Sequence, residues 1–148
     1  MLRTDFDRSV TYLVAALANK LSIGASRRLK RRLNIGLMEW RVIALLGVEG
    51  ECSPARVAQV AGVDKSVVSR AVTALGRRRL ISISAEGLPG RQTLLKLTPE
   101  GQAMHDRGVV DTVAREERLV HDLTEAERDV LVKLLKRLTA NLPEVDRE

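Results

Sequence analysis

From Asp5 to Arg32 the apolar residues keep a helical period. Val10, Leu13, Val14, Leu17 and Leu21 stand at i, i+3, i+4, i+7 and i+11 and form one stripe. The stripe predicts a single long helix closing on the basic cluster Arg27, Arg28, Lys30, Arg31 and Arg32. Cations at a helix C-terminus are favoured by its dipole; a phosphate contact is the alternative use of the cluster. Asn34-Ile35-Gly36 breaks the pattern. A second helix is expected from Leu37 to Val48, with Trp40, Ile43 and Ala44 at helical spacing and Trp40 reading as a core residue. Gly50 ends it. Ser53-Pro54 opens a third helix, Ser as N-cap and Pro at the first helical position, with Val57, Ala58 and Ala61 as its apolar side.

Gly62 permits the positive φ of a tight interhelical turn, and Asp64 is placed to cap a fourth helix, Lys65 to Arg79. At about 100° per residue, Val68, Val72 and Leu75 fall in one narrow sector. Ser66, Arg70, Thr73 and Arg77 cluster opposite, with Ser69 beside them. Such a helix suits a major-groove reader, because short hydroxyls approach base edges and Arg reaches guanine or phosphate. The period then shortens to two. Ile81 and Ile83 alternate in Leu80 to Ser84, and Thr93, Leu95 and Leu97 alternate in Arg91 to Leu97. With Glu86-Gly87-Leu88-Pro89-Gly90 as the turn, the two runs predict a β-hairpin, and a hairpin directly after such a helix predicts a wing.

Thr98-Pro99-Glu100 opens a fifth helix running to Asp122, which Gly101 and Gly108 weaken. Thr124-Glu125-Ala126-Glu127 has the capping-box pattern of a sixth. Its Leu131, Leu134, Leu135, Leu138 and Leu142 form a stripe too broad for a terminal helix to leave exposed, and Pro143 is expected to end it. The expected fold is mainly α with a small β-hairpin wing: a winged helix-turn-helix with a helical dimerisation region from both termini.

Composition narrows the partner. A chain of 148 residues can bury a core; 45% are hydrophobic and only 2% aromatic, so the core is aliphatic. A base-stacking platform, which needs aromatic faces, is disfavoured. The net charge of +6 favours a polyanion. Six bases accompany two acids from Asp64 to Arg91, whereas ten acids outnumber seven bases from Asp111 to Glu148. The positive charge therefore sits with the reading helix and the hairpin. No run approaches the ~20 apolar residues of a membrane helix. Leu13 to Ala18 imitates a signal core but follows Asp5 and Asp7 as well as Arg3 and Arg8, so it lacks a positive leading segment. A single cysteine suits a reducing compartment, and the location is expected to be cytoplasmic.

Candidate chemistry changes this picture little. Cys52 has acidic neighbours in Glu49 and Glu51 and needs a basic one to become reactive. His105 and His121 are sixteen residues apart and form no paired metal motif. Neither a nucleophile elbow nor a phosphate loop accompanies the Ser and His residues. No catalytic residue, metal or cofactor is expected.

Taken in order, Gly36-Leu37, Trp40-Arg41-Val42, Val57-Ala58, Gly62-Val63, Asp64-Lys65-Ser66-Val67-Val68-Ser69-Arg70 with Val72 and Leu75, Leu80-Ile81 and Leu97-Thr98-Pro99-Glu100-Gly101 resemble the multiple-antibiotic-resistance regulator (MarR) family over nearly the whole chain. The most specific stretches are those beginning at Asp64 and at Leu97. The resemblance implies a homodimeric transcription regulator, a repressor by expectation, that binds palindromic double-stranded DNA. It implies an N-terminal dimerisation helix in 1–35, a DNA-binding lobe in 36–98 and C-terminal dimerisation helices in 99–148. A small-molecule effector would sit between the dimer helices and the lobe. The reading surface would be Lys65, Ser66, Val67, Ser69, Arg70, Thr73 and Arg77. Carried over by position, Ser66, Ser69 and Arg70 face bases or phosphates, and Arg91 matches the wing arginine that reaches the minor groove.

Two positions depart from the family pattern. Val67 stands where the family often has Thr, which exchanges a hydroxyl for an apolar contact with a thymine methyl. Arg79 stands where Gly usually ends the helix, and a left-handed backbone there carries roughly 1 kcal/mol of strain. The competing reading is a winged helix used as a protein-interaction module without DNA binding. It predicts Leu, Phe or acidic residues on the front of the fourth helix.

Overall fold

Helix α1 (Val10–Leu33) begins at the first residue of its apolar stripe and not near Asp5, because the cap is Ser9: the Ser9 hydroxyl accepts the Tyr12 N–H. The computed structural model describes residues 5–84 and 93–145; the hairpin turn expected at Glu86–Gly90 and the wing residue Arg91 lie outside them. Helix α1 ends at Asn34, which takes the left-handed φ of 51° that Asn tolerates better than most residues, and its N–H returns to the Leu29 carbonyl.

Helices α2 (Leu37–Glu49) and α3 (Pro54–Ala61) follow, α3 being capped by the Ser53 hydroxyl, which accepts the Arg56 N–H at 3.1 Å. Gly62 turns the chain at φ 64° into α4 (Lys65–Arg77). Asp64 has the extended backbone of an N-cap, yet its side chain makes no capping hydrogen bond, so the expected carboxylate cap is not formed.

The alternating pattern predicts two strands, and the structure has three. Strand β1 (Glu51–Cys52), too short for alternation to reveal, pairs with β3 (Leu94–Leu97), which also pairs with β2 (Ile81–Ser84). All pairings are antiparallel and the order is β1-β3-β2. Ile81 opposes Leu97 and Ile83 opposes Leu95.

Helix α5 (Pro99–Leu119) starts at Thr98, whose hydroxyl accepts the Gly101 N–H. Helix α6 (Glu125–Ala140) has a complete capping box: the Thr124 hydroxyl accepts the Glu127 N–H, and the Glu127 carboxylate accepts the Thr124 N–H at 2.8 Å. Pro143 does not end α6. Asn141 does, and Pro143 lies in the first turn of a short α7 (Leu142–Val145), where a missing N–H costs no intrahelical bond.

The chain forms two compact units that divide within α5, Met1–Val109 and Val110–Glu148. The first holds the core. Val42, Ile43 and Leu46 of α2 are fully buried together with Val57 of α3, Val68 and Leu75 of α4 and Leu95 of β3. Trp40 joins this aliphatic cluster. Gly108 lets α5 approach it, since a Cβ there would overlap the indole ring. By contrast, Val10, Leu13, Val14 and Leu17 on α1 are exposed. In the second unit no described residue is buried, and Leu131, Leu134, Leu135, Leu138 and Leu142 are all more than two-fifths exposed.

Candidate nucleic-acid interface

Burial of one face of α4 determines what the other presents. Val68, Ala71, Val72 and Leu75 are buried. Lys65, Ser66, Ser69, Arg70, Thr73 and Arg77 are exposed. Val67 does not share their position. It is half-buried and lines an open recess with Ala58, Gln59 and Gly62, at the edge of α4 that faces α3. Thr73 donates its hydroxyl proton to the Ser69 carbonyl at 2.9 Å, so towards a ligand only its acceptor capacity remains. Among the described residues nothing engages the guanidinium groups of Arg70 and Arg77.

The three consecutive arginines at the end of α4 serve different purposes. Arg77 is exposed on the front. Arg78, the C-cap, turns back onto the protein: its Nη1 donates to the Asn34 carbonyl at 2.9 Å and lies 3.4 Å from a Glu39 carboxylate oxygen. Arg79 has φ 56°, the left-handed conformation expected at a position that usually holds Gly, and its carbonyl accepts the Thr98 hydroxyl at 2.7 Å. Composition and spacing show three bases in a row there. They do not show that one of them bonds back onto the protein, because its partners are a backbone carbonyl and a carboxylate far away in sequence.

Cys52 is buried. Burial pushes its thiol pKa up, Glu49 adds to the rise, and only Arg56 opposes it. Arg56, four residues further along the chain, is that basic neighbour, but its charge is committed elsewhere. Its Nη2 and Nε both bind the Glu49 carboxylate, at 2.7 and 3.0 Å, and its Nη1 donates to Gln59. A protonated, enclosed thiol suits packing and not redox chemistry. Among the described residues, no cluster of His, Cys, Asp and Glu could hold a metal ion, and no helix is long and apolar enough to cross a membrane.

A helix with an apolar back and a polar, cationic front, entered through a glycine turn and followed by an antiparallel strand pair, defines a winged helix-turn-helix. The MarR family profile matches residues 33–92. A MarR/EmrR family transcriptional regulator from Acinetobacter sp. ADP1 is 31% identical and superposes with a TM-score of 0.88, over 95% of this chain and 99% of that one. The chain belongs to the MarR family of transcriptional regulators. Two more distant structures share the fold. PcaV of Streptomyces coelicolor, solved with its natural ligand, is 24% identical over 95% of this chain and 98% of its own, with a TM-score of 0.77. S. aureus MepR, solved as a DNA complex, is 18% identical over 92% of this chain and 98% of its own, with a TM-score of 0.78. No curated protein matches the sequence significantly.

Proposed function

We propose that the protein is a cytoplasmic, homodimeric repressor that places α4 of each protomer in successive major grooves of a palindromic operator. The observation that carries this reading is the front of α4. Each of its exposed positions Lys65, Ser66, Ser69, Arg70, Thr73 and Arg77 is polar or cationic, opposite a wholly apolar back. A protein-interaction module would carry large apolar or acidic residues there. The DNA complex of MepR supports the same use of the fold. In this reading Val67, at the α3 edge, meets a thymine methyl, and Arg91 reaches the minor groove. Residues 1–35 and 99–148 supply the dimer helices around the lobe 36–98, and no catalytic step, metal or cofactor enters.

A small-molecule effector belongs to the same reading, supported by the ligand complex of PcaV. A hollow of about 330 Å³ between α2 and α3, apolar apart from Arg41, has the size of a small-ligand site, but it lies within the lobe and not between the lobe and the dimer helices, where the effector is expected. Enrichment of random duplexes on the purified protein tests the central claim. It should return two inverted half-sites about one helical turn apart, with affinity falling linearly with salt on a log–log plot. Recovery of unrelated sequences with no inverted half-sites, or a flat salt response, would refute it.

A further inference from the structure

Arg78 lies within a row of three arginines beside the reading face, where a phosphate contact is the obvious assignment. Its geometry argues otherwise. One nitrogen, Nη1, donates to the Asn34 carbonyl at 2.9 Å and approaches the Glu39 carboxylate at 3.4 Å. Asn34 is the left-handed residue that ends α1, Glu39 lies in the first turn of α2, and Arg78 itself caps α4. A single guanidinium thus joins the ends of three helices. The neighbouring residue is held as well: Thr98, at the start of α5, donates its hydroxyl to the Arg79 carbonyl at 2.7 Å. The C-terminus of α4 is therefore tied to the helix that carries the exposed stripe Val10 to Leu17 and to the start of α5.

We infer that Arg78 is a positioning residue for DNA recognition: by bridging the Asn34 carbonyl and the Glu39 carboxylate, it sets α4 against α1 and so selects the half-site spacing that the dimer accepts. The inference rests on the dimeric, palindrome-binding reading above. In a dimer joined through α1, any rotation of α4 relative to α1 is repeated by the two-fold axis, so the separation of the two reading helices changes with it. One base pair of extra spacing moves a half-site by about 3.4 Å and turns it by about 34°. A loosened clamp tolerates that mismatch, and a tight one rejects it.

The test uses the full-length protein, the enriched operator, versions with one base pair added or removed between half-sites, and a duplex with one half-site. Wild type should reject the altered spacings. In Arg78→Met, which keeps the aliphatic stem, that preference should fall by about 2–30-fold, the range in which residues that touch no ligand alter coupling. Single-half-site affinity and the salt slope should stay at wild-type values. Arg78→Lys, which can still donate to Asn34, should restore part of the preference, and Glu39→Gln should show a smaller loss than Arg78→Met. If Arg78→Met does not fold, the Lys and Gln variants decide alone: wild-type spacing preference in both overturns the inference. A salt slope lower by about 0.9, with all spacings weakened equally, overturns it too, since that is the signature of a lost phosphate contact. A wild type that binds one half-site as a monomer removes the dimeric reading and this inference with it.

Discussion

At Arg79 two costs oppose each other. A non-glycine residue at φ 56° carries roughly 1–2 kcal/mol. Glycine would remove that strain but lose about 0.5–1 kcal/mol more backbone entropy on folding. The first cost is the larger, so Arg79→Gly should stabilise the protein by up to about 1 kcal/mol and raise the melting temperature by about 2–4 °C. Arg79→Ala keeps the Cβ and should leave the melting temperature unchanged; calorimetry of both variants separates backbone strain from loss of the side chain. Arg70 tests the reading face at the same scale. If its guanidinium holds a guanine through two hydrogen bonds, Arg70→Ala costs about 1–3 kcal/mol of affinity and relaxes preference at one position of each half-site. Binding measured over single-base operator variants at one fixed salt shows this. Uniform weakening over all variants reassigns Arg70 to phosphate, and wild-type binding throughout removes α4 from the groove.

Between elements, residues that weaken a helix in isolation can be what lets it pack. The two glycines in the first half of α5 read from sequence as defects, because helix propensity is local and the residues they face are not. Gly108 faces the Trp40 ring of α2, and no spacing rule connects positions 40 and 108. Ala is the better helix former by about 1 kcal/mol, yet overpacking a core costs about 1–3 kcal/mol. Gly108→Ala should therefore destabilise the fold, seen as a lower urea midpoint together with altered Trp40 fluorescence. The same divide between local and distant signals runs through the molecule. Caps at Ser53 and Thr124, the glycine turn at Gly62 and the buried sector of α4 are legible because residue type and spacings of three or four residues set them. Strand β1, the Arg56–Glu49 pair and the Arg78 bridge are not, because tertiary neighbours decide them. The capping box of α6 has a pH consequence. The Thr124 backbone N–H, and then its hydroxyl, hold the Glu127 carboxyl below the usual glutamate range. A depressed folded pKa stabilises above the unfolded value, and this contribution is lost as pH falls through the folded one. Circular dichroism melts should show α6 weakening in acid in the wild type, whereas Glu127→Ala should be less stable at neutral pH and lack that part of the acid dependence.

For the whole molecule, the unburied apolar surface is the strongest constraint. The α1 stripe lies open, and the second unit contains no buried residue among those described, although α6 carries a leucine on nearly every turn. A short helix gains little stability from propensity alone and depends on packing an apolar face, while a large exposed apolar patch on a soluble chain marks an interaction surface. Leu17 and Leu135 are 51% and 41% exposed in the protomer. A carboxylate at either position would be solvated in an isolated chain but desolvated and unpaired in a dimer interface, where burying it is strongly unfavourable. Leu17→Glu and Leu135→Glu should therefore each shift the protein towards monomer in sedimentation at micromolar concentration, with a melting temperature that becomes more sensitive to dilution. Affinity for the palindromic operator should fall by about 10²–10⁴-fold, the factor that linking two binding events supplies. Affinity for a duplex with one half-site should hold, because neither residue belongs to α4. A variant that remains a dimer excludes its stripe from the interface. A variant that becomes monomeric yet binds the palindrome like wild type shows that the two half-sites are not read together.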